Sequence, residues 1–390
     1  MKKIHYGRQC IDKTDIDQVV NILKSDWITQ GSKVKEFEDA LAKYCGAKYA
    51  VAVSSGTAAL HLSCLVAGLK KCDEAITTPI TFLATANAIL YTGAKPVFAD
   101  IEYENINIDT QKIKEKITRK TKVIIPVHFA GMPCDMVKIG AIAKENKLII
   151  IEDACHALGA EYKFNGRWNK VGSCKHSDVT VFSFHPVKHI TTGEGGAITT
   201  NNRNIYKKLL ALRSHGVYRD QLMVKKCGPW YSEMRDLGFN YRITDFQCAL
   251  GFSQLKKLDT FIKNRREIAR IYNSELCELK DLVKLPQLEY KDKKHAWHLY
   301  ILRLNSDKLK SNKIQIFNQL KRRNINLQLH YIPVVNHPFY RSMGYSTMGY
   351  PVATRYYEET ISLPIFPDLT KKDLIYVITN IKEVLYKYAE

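Results

Sequence analysis

The chain has no apolar run of membrane-spanning length. Its opening, "MKKIHYGRQCIDKTD", has two lysines but no apolar segment behind them, so no secretory leader is expected. The ten cysteines, at 10, 45, 64, 72, 134, 155, 174, 227, 248 and 277, form no C-x-x-C. None pairs with a histidine at zinc spacing, so neither a metal site nor a disulfide framework is expected. Reduced, packed thiols of a cytoplasmic protein are. There is no internal repeat and no low-complexity segment, which argues against a solenoid. Acid is scarce beside base: 39 acidic against 59 basic residues give a formal charge of +20. Such a charge admits nucleic acid or an anionic membrane face as partner. The cations are dispersed, however, as in "KDKKH", "KRR" 321–323 and "TKKD" 370–373, with no basic block interleaved with aromatics. A solvated surface is expected, with no nucleic acid and no membrane partner; part of the excess would suit a diphosphate ligand.

What is present is an alternation of helix-period and strand-type stretches along 390 residues, enough for a large domain and a smaller one. "TDIDQVVNILKSD" 14–26 predicts an amphipathic helix with Ile16, Val19, Val20 and Leu23 on one face and Thr14 or Asp12 as its cap. "YAVAV" 49–53, "KPVFADI" 95–101, "LIIIEDA" 148–154, "DVTVFSF" 178–184 and "GGAITT" 195–200 predict strands. "SSGTAALHLSCLVAGL" 54–69, "TFLATANAILYTG" 81–93 and "CDMVKIGAIAKENK" 134–147 predict helices among them. Continuous apolar strands separated by helices indicate an α/β fold with a mainly parallel sheet covered on both faces. From 244 to 276 the character changes to long helix, and a small α/β segment follows. The expected division is a large domain over 1–250 and an interdomain helix with a small domain over 251–390. Residues 1–30 are expected to pack on the small domain.

In open α/β sheets, ligands sit outside the carboxyl ends of the strands. Three features fall there. Ser54-Ser55-Gly56-Thr57 opens a helix after "YAVAV", where free N–H groups bind phosphate. Glu152 and Asp153 end a fully apolar strand, where a charge needs a partner. Lys188 follows "TVFSF" and precedes the Gly-rich stretch "TTGEGGA", whose glycines 193, 195 and 196 permit a tight turn. Taken alone, the first is an ordinary cap and the second an ordinary ion pair. Together they supply what pyridoxal phosphate asks of a protein: an anion nest, a carboxylate for the ring nitrogen and a lysine for the Schiff base.

The chain also resembles the DegT/StrS-type nucleotide-sugar aminotransferases along essentially its whole length. The resemblance is carried by "SSGTAAL", "TPITFLATANAI", "PVFADI", "PVHFAG", "IEDACHALGA", "FSFHPVKHITTGEGGAITT", "RSHG" and "LGFNYRITDFQCALGFSQL". It implies a fold type I enzyme, with a mainly parallel seven-stranded sheet between helices and a smaller C-terminal α/β domain. By the same resemblance Lys188 is the Schiff-base lysine and Asp153 the partner of the pyridine nitrogen. Gly56, Thr57 and Ser183 would hold the phosphate, and Phe82 would lie on the ring. His156 stands where many relatives have Gln, close to the cofactor's phenolic oxygen. Asn240 would reach the phosphate in the neighbouring subunit, with Arg242 near that shared site, which implies a homodimer.

Within the family, "YGRQCIDKTDI", "SDWITQG", "FHPVKHITTGEGG" and "LHYIPV" look most like the branch that aminates C4 in pseudaminic acid biosynthesis. Its acceptor is a UDP-linked 4-keto-6-deoxy-N-acetyl-L-hexosamine and its donor L-glutamate, released as 2-oxoglutarate. A role in flagellin or surface-polysaccharide decoration would follow. Tyr6, Thr29, His185, Arg242 and His330 are the candidates for the substrate, with Trp27 and Gln30 behind them; each has a plain packing role as its alternative. His128 is expected to be structural, and His215 to line the entrance or cap a helix. Rival readings are another nucleotide-linked 4-keto-6-deoxy sugar, carried by UDP, dTDP or GDP, and a non-catalytic basic binding protein on the same fold. A dehydratase on this scaffold would replace the lysine by histidine, which Lys188 argues against.

Overall fold

The computed structural model describes residues 3–389, so the outermost residues of both expected domains lie outside the description. Seven strands form the main sheet: β1 (Tyr49–Val53), β2 (Glu74–Thr77), β3 (Lys95–Phe98), β4 (Thr121–Ile124), β5 (Ile149–Asp153), β6 (Val179–Ser183) and β7 (Gly196–Thr200). Their order is β1-β7-β6-β5-β4-β2-β3. β7 runs antiparallel to both its neighbours, and the other pairings are parallel. Side chains alternate across each strand, so β1 sends Ala50 and Ala52 into one core and Val51 and Val53 into another. The first core holds α2 (Ser32–Cys45), through Phe37 and Leu41, and α5 (Met136–Asn146), through Ile139 and Ile142. The opposite one holds α3 (Gly56–Val66), α4 (Leu83–Tyr91) and α6 (Arg203–Arg213). The sheet is thus covered on both faces.

The run 244–276 is two helices, α7 (Asp245–Leu255) and α8 (Leu258–Leu276), rather than one. Lys257, at ψ −5°, breaks the helix and turns its ammonium towards Asp12 and Asp15. α8 then spans two cores: Leu258 and Ile262 lie under the main sheet, whereas Ile268, Tyr272 and Leu276 pack with the C-terminal strands Tyr300–Leu304 and Thr360–Leu363 and the helix Lys371–Lys387. Ile4 joins this second core.

The leading helix, α1 (Lys13–Leu23), differs from the expectation. It is capped by Asp12 and packs along α7, but its buried residue is Asp15, while Ile16 and Leu23 are 54% and 55% exposed. The reason is electrostatic. Asp15 accepts from Gln254 Nε2 at 2.7 Å and Lys257 Nζ at 2.5 Å, so the acid is the anchor and the apolar stripe turns outward. The sequence reading also passed over the hairpin Glu161–Phe164/Arg167–Lys170. Its signal was the Asn165-Gly166 pair, both at positive φ.

One buried ion pair ties α2, β1 and α6 together. Glu38 is 3% exposed; it accepts from Arg213 Nη1 at 2.5 Å and from the Ala52 N–H at 2.8 Å. Burial pushes the Glu38 pKa up, against the pull of Arg213. Arg213→Met would strand that carboxylate and is expected to cost about 3–5 kcal/mol in denaturant unfolding. Glu38→Gln in the same chain should recover much of the loss; an Arg213→Met protein as stable as the wild type would show the pair is not structural.

Candidate active site

The carboxyl ends of β1, β5 and β6 open into one cavity of about 510 Å³. β5 delivers two adjacent acids, and strand alternation sends them to opposite faces. Glu152 turns into the core. There it accepts from His128 Nε2 at 2.7 Å, from Thr180 Oγ1 at 2.9 Å and from Ser177 Oγ. The Cys134 N–H donates to His128 Nδ1, so the ring proton sits on Nε2 and points at Glu152. His128 is structural. Asp153 faces the cavity, 4% exposed, and accepts from Thr85 Oγ1 at 2.7 Å and the Cys155 N–H at 3.1 Å. Thr85 Oγ1 lies 2.7 Å from Thr81 Oγ1, so Thr81 can donate in turn.

Lys188 sits on the loop that joins β6 to β7. The loop is pinned at both ends: the Phe184 N–H donates to the Gly195 carbonyl, and the Phe184 carbonyl accepts from the Thr192 N–H and Thr191 Oγ1. Gly193 has φ +81°. Gly196 is needed for a different reason: a Cβ there would lie 2.5 Å from the Ser55 carbonyl oxygen and 2.7 Å from Gly56 N. The glycine-rich turn therefore presses against the start of α3. Lys188 Nζ makes no hydrogen bond to the described residues. Burial lowers its pKa, opposed by its neighbours Cys155 and Asp153.

At the start of α3, Ser55 Oγ accepts from the Ala58 N–H at 3.1 Å, and the N–H groups of Gly56 and Thr57 have no hydrogen-bond partner among the described residues. A Cβ on Gly56 would lie 2.9 Å from Ser183 Cβ, so glycine lets the helix start meet the end of β6.

The cavity brings together Tyr6, Gly56, Thr57, Phe82, Asp153, His156, Ser183, His185, Lys188 and His330. Phe82 stands at its mouth, and Tyr6 and His330 rings meet at 5.5 Å. His330 Nδ1 is 2.8 Å from Ser362 Oγ. Three candidates lie elsewhere. Thr29 bridges to Thr244, Asn240 bridges to Ser214, and Arg242 donates to Ser214 Oγ at 3.0 Å. Arg242 and Gln30 line a separate cavity of about 290 Å³. Trp27 is exposed, and His215 forms a turn at φ +61°. Thr85, His298 and Tyr331 also belong to the site but escaped the sequence reading. The Thr81–Thr85 spacing of four at a helix start was the signal available for the first. Among the described residues no cluster of His, Cys, Asp or Glu could hold a metal ion.

Residues 9–382 match the DegT/DnrJ/EryC1/StrS aminotransferase family. This chain belongs to that family. The protein MJ1066 of Methanocaldococcus jannaschii, which carries no assigned function, is 46% identical over 97% of this chain and 96% of its own. The UDP-4-amino-4,6-dideoxy-N-acetyl-beta-L-altrosamine transaminase of Campylobacter jejuni is 38% identical over 98% of each chain. Among solved structures, Helicobacter pylori PseC, an aminotransferase of pseudaminic acid biosynthesis, superposes with a TM-score of 0.91 at 32% identity, covering 99% of this chain and 100% of its own. Spr1654 of Streptococcus pneumoniae in its PLP-form gives 0.90 at 29% identity, covering 99% of each.

The aminotransferase is a nucleotide-sugar enzyme of fold type I, and its cofactor is pyridoxal phosphate. The cavity fits that group on its own chemistry: two N–H groups at a helix start and an amine, all without a hydrogen-bond partner among the described residues, and a buried carboxylate with lone pairs to spare. Thr85→Val removes one of the two donors to Asp153. Because an unsatisfied buried acceptor costs roughly 1–3 kcal/mol, cofactor affinity should fall about tenfold or more in a titration of the apoprotein. Unchanged affinity would mean that Thr85 plays no part in setting the carboxylate.

Proposed function

We propose that this aminotransferase moves nitrogen from L-glutamate to C4 of a UDP-linked 4-keto-6-deoxy-N-acetyl-L-hexosamine. The product would be UDP-4-amino-4,6-dideoxy-N-acetyl-β-L-altrosamine, for pseudaminic acid biosynthesis. The observation that carries the reading is Lys188, on the loop after β6 and without a hydrogen bond to the described residues, in one cavity with Asp153 and the open start of α3. The names of the Campylobacter and Helicobacter relatives supply the sugar.

Bound pyridoxal phosphate supplies an electron sink for the carbon beside an amine. The chain would supply the rest. Gly56 and Thr57 N–H groups and Ser183 would hold the phosphate, Phe82 would cover the ring, and Asp153 would keep the ring nitrogen protonated. Lys188 Nζ would take the proton from Cα of glutamate and, in the return half-reaction, deliver one to C4 of the sugar. Burial suits it to this, because a lowered pKa leaves more of the amine as free base near neutrality. Turnover should therefore decline as the pH falls through that lowered pKa.

A homodimer is part of the proposal. The cofactor phosphate, both carboxylates of glutamate and the UDP diphosphate are anions, yet among the described residues Lys188 is the only Lys or Arg lining the cavity, beside Asp153 and Glu194. Further cations would come from outside the chain's own cavity. Arg242 and Asn240, outside it, are available to a second copy. They flank a segment whose Leu222, Trp230, Met234 and Leu237 side chains are exposed.

Two measurements test these statements. The holoenzyme should lose its visible cofactor band on adding L-glutamate and regain it with the UDP-4-keto sugar, and Lys188→Ala should do neither. Loss without recovery would reject the sugar and keep the transaminase, and a panel of UDP-, dTDP- and GDP-linked 4-keto-6-deoxy sugars would then identify the acceptor. Mixing inactive Lys188→Ala and Arg242→Ala subunits should restore activity if the site is shared; no recovery after subunit exchange would reject sharing through Arg242.

A further inference from the structure

His156 is 4% exposed, lines the cavity and packs, with its ring tilted at 4.3 Å between centroids, against His298, itself 3% exposed. Its Nε2 lies 3.0 Å from the hydroxyl of Tyr331. Its Nδ1 is buried with no hydrogen-bond partner among the described residues. A buried polar atom without a partner costs about 1–3 kcal/mol, so a group held ready for a ligand is the economical explanation.

The Tyr331 hydroxyl decides what that atom can do. Burial pushes its pKa well up, so it keeps its proton. Among the described residues, His156 is its one hydrogen-bond partner. If Nε2 carried the imidazole proton, the hydroxyl would accept, its own hydrogen would have no acceptor, and Nδ1 would present a lone pair. If the hydroxyl donates to Nε2, both are satisfied and Nδ1 carries a hydrogen. The ring is neutral in either case. Burial lowers its pKa first, and Lys188, His330 and His189 oppose a positive charge there. Asp153 lines the same cavity, and its carboxylate already accepts from Thr85 and Cys155.

We propose that Tyr331 is a positioning residue: its hydroxyl holds His156 with the proton on Nδ1, so that this side chain, which the family resemblance puts near the cofactor's phenolic oxygen, offers that oxygen a donor and never a lone pair. This rests on the reading of the cavity as the cofactor site. The ring of Tyr331 is held independently of its hydroxyl, with Phe82 at 6.0 Å and Phe129 at 6.3 Å between centroids. Tyr331→Phe therefore removes the latch and keeps the packing.

The test compares wild type, Tyr331→Phe, His156→Gln and the double variant. It reads cofactor affinity in the apoprotein and the pH midpoint of the bound cofactor's visible band. Tyr331→Phe should weaken affinity roughly 3- to 10-fold, the worth of one hydrogen bond. It should also move the midpoint up, because a donated hydrogen bond favours the more negative form of the phenolic oxygen. A glutamine amide has a fixed N–H₂ donor and no tautomer to lose. Tyr331→Phe on the His156→Gln background should therefore change neither reading. Equal losses on both backgrounds would reduce Tyr331 to packing and overturn the proposal, as would a Tyr331→Phe protein with wild-type affinity and midpoint. A wild type with no band at all would overturn the cofactor site itself, and this inference with it.

Discussion

Everything at the site depends on how the Asp153 carboxylate is held where water is largely excluded. A charge in such a place survives only if it is hydrogen-bonded and if an opposite charge is near. β5 brings it to the sheet edge, and α4 brings Thr85 across to meet it. Lys188 arrives from the next strand in the sheet, β6, through a loop tied at Phe184. Burial favours the neutral form of the amine, and the nearby carboxylate opposes it. The neighbouring histidines, 156, 189 and 298, are all held neutral by burial and add no competing charge. The cavity is therefore a place where one amine can change protonation state while little else does.

Much of this was legible in the sequence, and the reason is topological. In a mainly parallel sheet the carboxyl ends of strands lie at one edge, so "SSGT" after β1, "ED" at the end of β5 and Lys188 after β6 had to converge. The adjacent acids could not be told apart by composition, but alternation along β5 separates them once the strand's position is known. The groups that escaped, Thr85, His298 and Tyr331, act through contacts made between distant segments, and no local pattern announces such a contact. α1 shows the opposite failure. Its apolar periodicity was plain, yet a buried aspartate paired with Lys257 set its orientation, because satisfying one buried charge outweighs turning in a few half-buried aliphatic side chains.

The same contrast explains where family likeness and physical reading part company. The comparisons place the chain among sugar aminotransferases over nearly its full length. Fold and cofactor follow from residues at strand ends. The residues proposed to meet the sugar, Tyr6, His185 and His330, line the same cavity away from the strand ends, with Phe82 exposed beside it. Those positions can change without disturbing the sheet, which is why one scaffold serves many acceptors.

The side-by-side acids of β5 carry an evolutionary consequence. Most substitutions in that strand trade one apolar packing for another. A single deletion or insertion is of another kind, since it would exchange the two faces. It would turn Asp153 towards His128 and leave the longer Glu152 beside the lysine. The residue count along Ile149–Asp153 thus constrains the site as strictly as the acids themselves, whereas a change of length in a surface loop would leave both faces of the strand in place.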